Sequence, residues 1–374
     1  MRDWPRVTVV MPCYNEERYI GNAIRGLVDD YFRENCELVV VDGESTDGTK
    51  EIVRSFIEGD EAKRHGLERA GQVRLLENPR RIQSYGLNLG IKEARGEIIV
   101  RADAHCVFPA GYIRKCVELL ETAGAANVGG VMAPVVEKTD DEKNNKNKGK
   151  RKTPYVSWAI ALALQHPAGV GDARFHLGNY SGDVDTVYLG AFWKSLFDEI
   201  GLFDTNAPTN EDAELNVRIL RAGKKIYLDS SIKVGYFPRE TLRQLAKQYF
   251  KYGRGRCYTV LKHRRVTSWR QVAPVVLVAG LVGAVAVSFV RPWALLFPAS
   301  YVAGLVVATF LYRERPQMES DGKENERRLL RFVRKDSIVV RLLVAVAWMV
   351  MHISWGLGFW NYLIFRKKKP RDCS

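Results

Sequence analysis

The chain has 374 residues, long enough for one large core and a further module. Its formal net charge of +14 fits either nucleic acid or an anionic membrane surface. No nucleic-acid-binding module accompanies that charge, and the basic excess lies in residues 239–270, 313–335 and 366–371, beside long apolar runs, so the expected partner is the membrane and not nucleic acid.

Six cysteines lacking metal-ligand or redox spacing suit a reducing compartment. The residues before the first strand signal hold no cleavable leader pattern, so the N-terminal part is expected in the cytoplasm.

Strand and helix signals alternate from the start: strand 7–11 and helix 18–28, strand 37–41 and helix 49–57, strand 73–77 and helix 82–94, then strand 97–101. Short Val- and Ile-rich strands in such alternation predict an α/β domain, a mainly parallel Rossmann-like sheet with helices on both faces. Another strand is expected over 128–136. Residues 137–152, rich in Lys, Asn and Asp, cannot bury a core and read as a mobile polar loop, either a solvated insertion or a lid. Helices are expected over 155–165, 196–200 and 211–221, the last stopping before Gly223.

The catalytic domain is thus expected over 1–236. Residues 237–270 mix Leu242, Leu245, Tyr249, Phe250 and Leu261 with many cations, the pattern of an amphipathic segment on a membrane surface. Residues 271–365 hold three apolar runs, 272–290, 293–312 and 338–365, which predict about three transmembrane helices and a multi-pass protein of the cell inner or plasma membrane; a basic tail follows over 366–374. The first two runs read as an in-out-in hairpin. The third either crosses once, leaving Arg366 to Lys369 outside, or folds back near Gly356 to Gly358; both remain open. His352, inside this run, reads as a functional group or as an inter-helix hydrogen bond.

Acidic residues stand where the apolar strands stop, and sheets of this kind bind ligands at the carboxyl ends of their strands. Asp42 ends the second strand, where it can accept hydrogen bonds from a base or simply close a turn with Ser45, Thr46 and Asp47. Asp103 and His105 follow the fourth strand as an Asp-x-His triplet able to hold ribose or a divalent ion; imidazole favours Mn²⁺ over Mg²⁺. Glu211 and Asp212 open a helix whose dipole keeps at least one ionised. Asp212 is the expected general base and Glu211 its orienting neighbour. Arg254 and Arg256 can clamp a diphosphate or belong to membrane-surface charge.

Together Pro12-Cys13-Tyr14-Asn15-Glu16-Glu17, Val41-Asp42-Gly43-Glu44-Ser45-Thr46-Asp47-Gly48, Asp103-Ala104-His105 and Asn210-Glu211-Asp212 resemble the family 2 inverting glycosyltransferases of the GT-A fold, over the first two thirds of the chain and in the family's order. Asn78-Pro79-Arg80-Arg81-Ile82-Gln83, Val184-Asp185-Thr186-Val187-Tyr188 and Tyr249-Phe250-Lys251-Tyr252-Gly253-Arg254-Gly255-Arg256 are similar to the membrane-attached glucosyltransferase type of succinoglycan biosynthesis, which extends a polyprenyl-diphosphate-linked sugar.

The resemblance implies a UDP-sugar donor, a lipid-linked acceptor, a divalent metal (Mn²⁺ or Mg²⁺) and a product in exopolysaccharide or another surface glycan. It also implies that Pro12, Tyr14, Glu16 and Asp42 contact nucleotide, that Asp103 and His105 handle ribose, diphosphate or metal, and that Asp212 is the base. Two departures stand out: His105 replaces the second acid of Asp-x-Asp, and Asp42-Gly43-Glu44-Ser45 moves the second carboxylate of Asp-Asp-Gly-Ser one place along. The absence of Gln-x-x-Arg-Trp after Asp212 argues against a processive synthase. The alternatives are a polyprenyl-phosphate sugar synthase and a non-catalytic membrane-bound sugar-nucleotide sensor.

Overall fold

A computed structural model describes residues 4–67, 69–135, 155–207, 209–266, 268–311 and 337–366. The first half runs β1 (Val7–Cys13), α1 (Ile20–Leu27), α2 (Asp30–Asn35), β2 (Cys36–Asp42), α3 (Thr49–Ile57), α4 (Asp60–His65), β3 (Val73–Glu77), α5 (Gln83–Glu93), β4 (Ile98–Arg101), β5 (Cys106–Val107), α6 (Tyr112–Thr122) and β6 (Asn127–Pro134). Then come α7 (Tyr155–Ala163), α8 (Pro167–Val170), α9 (Arg174–Leu177), β7 (Gly182–Asp183), β8 (Tyr188–Trp193), α10 (Ser195–Ile200), α11 (Glu211–Arg221) and β9 (Ile226–Tyr236).

The strands form one sheet in the order β3-β2-β1-β4-β8-β6-β9-β5, with β7 also on β9. β1, β2, β3, β4, β6 and β9 run one way; β5, β7 and β8 run against them. The expected mainly parallel sheet is therefore present, with β8 wedged antiparallel between β4 and β6. β1 and β2 are almost wholly buried, as strands covered on both faces must be.

Alternation along β1 sorts the two faces. Val7, Val9 and Met11 pack with Ile20, Ile24, Phe56 and Tyr112 in one core, whereas Val10 joins Leu87, Ile91, Phe197 and Leu215 in the other. α5 lies close against the sheet because Gly90 has no side chain: a Cβ there would stand 2.4 Å from Val10 Cγ1. Glu37, fully buried in β2, is not an orphan; it accepts from Thr8 Oγ1 and the Arg95 amide, both at 2.8 Å.

The chain then continues through α12 (Leu242–His263), α13 (Ala273–Ser288), α14 (Leu296–Leu311) and α15 (Ser337–Phe365). α12 opens with a capping box between Thr241 and Gln244. It does not lie with its apolar stripe free for lipid, as its amphipathic pattern suggested. Leu245 and Tyr249 are buried in a third core with Val344, Trp348 and Met351 of α15. The two helices touch backbone to backbone, since a Cβ on Gly253 would stand 2.0 Å from the Trp355 carbonyl and one on Gly358 2.0 Å from that of Phe250.

Two expectations for this region change. α15 is one unbroken helix, so the fold-back at Gly356 to Gly358 does not occur; those glycines admit close neighbours instead. Among the described residues two helices, Pro292–Leu311 and Ile338–Phe365, are long and apolar enough to cross a membrane, whereas Ala273–Ser288 is shorter than the ~20 residues a span requires. The expected three spans reduce to two candidates. The polar loop 137–152, the basic stretch 313–335 and residues 367–374 of the tail lie outside the described residues.

Candidate active site

The site starts where β1 and β2 end side by side, with Cys13 paired to Asp42. Loops leaving these strands are stitched together: the Asn15 amide donates to Ser45 Oγ and the Thr46 amide to Asn15 Oδ1, each at 2.8 Å. Glu17 Oε2 accepts from the Gly48 amide, and Asp47 accepts from the amides of Glu17 and Thr49. Asn15 and Glu44 both sit at positive φ, backbone held by the surrounding bonds. Asp42 is fully buried, accepting from the Ser45 amide at 2.8 Å with Lys50 Nζ 3.5 Å away. Tyr14 stands out from this rim, 48% exposed.

Across the sheet, the chain leaves β4 through Arg101, Ala102 and Asp103. Arg101 Nε lies 3.3 Å from Asp103 Oδ1, and its Nη1 lies 3.3 Å from Glu211 Oε1. All three side chains are buried. Burial alone would lower the Arg101 pKa, but Asp103, Glu211 and Asp212 more than reverse this and raise it. Glu211 is raised in turn, mainly by burial and against the pull of Arg101.

Glu211 and Asp212 owe their position to Asn210, which adopts a left-handed turn (φ 60°) before the helix and donates from Nδ2 to the Tyr252 carbonyl at 3.0 Å. Among the described residues Asp212 is bonded only to the Ala213 amide, at 2.7 Å, and it opens onto a cavity of about 510 Å³. The two adjacent acids are thus differentiated. Glu211 is held by a cation, and Asp212 faces space.

His105 Nδ1 lies 3.0 Å from Glu16 Oε1; in the neutral ring, a proton on this nitrogen toward the carboxylate leaves the lone pair on Nε2. Burial would lower the His105 pKa; the Glu16 hydrogen bond and Asp103 raise it overall. Among the described residues no three His, Cys, Asp or Glu side chains form a ready metal cage. A divalent ion on a diphosphate needs no such cage, because phosphate oxygens and water fill most of its shell. Asp103 and His105 fit that donor set, with Glu16 behind the imidazole.

Pro12, Tyr14, Glu16 and Asp42 therefore share the end of β1 and β2, and Asp103, Glu211 and Asp212 gather around Arg101. Arg254 and Arg256 separate: Arg254 is exposed, whereas Arg256 lines the cavity that Asp212 enters. His352 makes the inter-helix contact, with Tyr301 Oη of α14 at 3.0 Å, lies 2.6 Å from the Ala168 carbonyl, and lines the same cavity. Sequence reasoning gave Arg101 no role, although an arginine closing an otherwise apolar strand is a readable signal of a buried counter-charge.

Comparison with known proteins agrees with this geometry. The Glycosyl transferase family 2 model matches residues 8–177. The chain is 30% identical over 363 residues to the succinoglycan biosynthesis protein ExoA of Rhizobium meliloti (strain 1021), covering 96% of each. It is 26% identical over 254 residues, 66% of this chain and 71% of the relative, to the dolichyl N-acetyl-alpha-D-glucosaminyl phosphate 3-beta-D-2,3-diacetamido-2,3-dideoxy-beta-D-glucuronosyltransferase of Methanococcus voltae. The mannosyltransferase PcManGT of Pyrobaculum calidifontis, solved with GDP-Man and Mn²⁺, superposes with a TM-score of 0.56 at 21% identity over 97% of this chain and 88% of that one, a likeness of fold. The chain belongs to glycosyl transferase family 2 and is a GT-A-fold glycosyltransferase of glycan biosynthesis.

Proposed function

We propose that the protein transfers a sugar, with inversion, from a UDP-sugar to a hydroxyl on a polyprenyl-diphosphate-linked glycan at the cytoplasmic face of the membrane, in building exopolysaccharide or another surface glycan. The observation that carries this reading is Asp212, an acid free of any side-chain partner among the described residues, opening onto a cavity whose far wall is made by α13, α14 and α15. A base so placed meets its acceptor from the membrane side. The overall likeness to a succinoglycan biosynthesis protein supports the same substrate class.

In this reading Asp212 accepts the acceptor's proton as the new oxygen–carbon bond forms at the anomeric carbon and the bond to the diphosphate breaks on the opposite face. The leaving nucleoside diphosphate takes the electron pair. Arg101 holds Glu211 in place beside Asp212, and Pro12, Tyr14, Glu16 and Asp42 hold the nucleotide. Asp103 and His105 would hold a divalent ion, which supplies charge neutralisation to the diphosphate.

The test is to incubate the full chain with a panel of UDP-sugars, polyprenyl-diphosphate-linked acceptors and Mn²⁺ or Mg²⁺, and to weigh the lipid product. A mass gain of one sugar on the glycan supports the reading. Nucleotide binding without transfer would make the protein a sensor, and transfer to lipid monophosphate that survives Asp212→Asn would make it a polyprenyl-phosphate sugar synthase.

A further inference from the structure

The cavity at Asp212 contains polar atoms that nothing in the protein satisfies. Arg256 Nε, Trp355 Nε1 and His176 Nδ1 are each shut off from solvent with no hydrogen-bond partner among the described residues, and all three residues line it. Buried polar atoms are rarely left unpaired; Arg256 is half-buried, with its Nε the guanidinium atom that solvent does not reach. Three around one cavity point to a missing ligand.

The neighbourhood defines its charge. Arg270, also in the wall, is already neutralised by Asp172 and Asp185. Arg256 makes no hydrogen bond or ion pair with any described residue. Burial, and then the repulsion of Arg270, push its pKa down to about 10 against the weaker pull of Asp185 and Asp212, neither of which bonds it, so it stays charged at neutral pH. The occupant therefore brings an anion to Arg256. Asp212, a carboxylate at the same cavity, repels that anion and keeps it away from the base.

The walls define the rest of the ligand. None of Pro12, Tyr14, Glu16 and Asp42 lines the cavity, so it is not the nucleotide end of the site. Its other lining includes Pro274 and Leu277 of α13, Tyr301 of α14 and Met351 of α15, apolar surface belonging to the helices that pack outside the sheet domain. An anion joined to an apolar chain satisfies both halves.

We propose that this cavity seats the phosphate head of an isoprenoid lipid, with the guanidinium of Arg256 as its cation and Trp355 Nε1 as a second donor. The proposal rests on the acceptor reading above and assigns the acceptor's anionic end to named residues. Arg256 thereby acts on the second substrate and not on the departing nucleotide.

The test is a binding titration of the detergent-solubilised full chain with farnesyl diphosphate, farnesol, inorganic pyrophosphate and UDP, read through tryptophan fluorescence. Arg256→Met should weaken farnesyl diphosphate by about tenfold or more and Trp355→Phe by a smaller factor, while UDP affinity stays unchanged. Arg256 makes no hydrogen bond with any described residue, so Arg256→Met should melt no lower than the parent; Trp355→Phe keeps the ring against Tyr249 and Tyr252 and gives an independent reading.

Three results would overturn the proposal: farnesol binding as tightly as farnesyl diphosphate, inorganic pyrophosphate doing so, or loss of UDP affinity in Arg256→Met. The first removes the anion, the second removes the lipid, and the third returns Arg256 to the nucleotide. If the parent protein transfers sugar to no lipid-linked acceptor, the proposed activity fails and the titration still decides the cavity. If transfer occurs and neither variant weakens farnesyl diphosphate, the activity stands and the cavity assignment falls.

Discussion

Arg101 Nη1 reaches Glu211 Oε1 at 3.3 Å, and this contact ties the end of β4 to the first turn of α11. Arg101→Met would leave Asp103 and Glu211 buried without a cation, a loss of roughly 3–5 kcal/mol at neutral pH. Glu211, already raised by burial, would lose the opposing pull of Arg101 and rise further, so stability should recover as pH falls and it protonates. Urea unfolding across pH, with Glu211→Gln added in the Arg101→Met background, checks this: the second change should restore part of the loss.

Asp212→Asn should lower kcat on the order of 10³-fold, the usual contribution of a positioned general base, with UDP affinity kept. Glu211→Gln should lose less. Equal losses in the two variants would remove the distinction drawn between the acid held by Arg101 and the acid that faces the cavity.

Glu16 orients His105 and should matter through metal affinity. Glu16→Gln is expected to raise the Mn²⁺ concentration for half-maximal activation by about 10- to 100-fold, the usual range for a carboxylate behind a ligating imidazole. Direct Mn²⁺ titration by electron paramagnetic resonance in the presence of UDP gives the same comparison without turnover.

Asp204 anchors the segment before α11 to α12. Burial opposes its ionisation, but hydrogen bonds from Lys262 and Tyr258 outweigh it and hold the carboxyl at about 2. A depressed carboxyl contributes stability that is fully present above its unfolded value and is lost as pH falls through the folded one. The melting temperature should therefore decline as pH drops from about 4 toward 2, by an amount equivalent to roughly 2 kcal/mol. Asp204→Asn should flatten that decline.

Gly253→Ala would push a Cβ to 2.0 Å from the Trp355 carbonyl and force α12 from α15. A loss of about 1–3 kcal/mol is expected, read as a lower melting temperature. Gly283→Ala in α13, where a Cβ meets nothing within 4 Å, is the control and should be neutral or slightly stabilising.

The parts of the fold that sequence reveals are those whose cause is local. β1, β2 and β4 are buried on both faces and read as near-continuous apolar runs, interrupted only by Thr8 and Glu37 before their polar ends. β8 escapes because Leu189 and Gly190 both carry positive φ, so the strand breaks its own pattern, and β9 escapes because its burial alternates irregularly. Glycines in α15 read as a turn only while the backbones of Phe250 and Pro274, which they receive, are out of view. The site divides in the same way. Asp42, Asp103 and Asp212 stand at strand and helix ends and are legible, whereas the partner of Arg101 comes from α11, far along the chain.

The intercalation of β8 has a consequence for how this enzyme can be dissected. The stretch matching the family model stops at residue 177, before β8, α11 and β9 have been made. A fragment cut there would present β4 and β6 as two naked edges with a strand-wide gap between them, and would lack both Glu211 and Asp212. The family-model match and the completed sheet therefore end at different places along this polypeptide, and a piece that keeps the whole sheet must carry the chain at least through Tyr236.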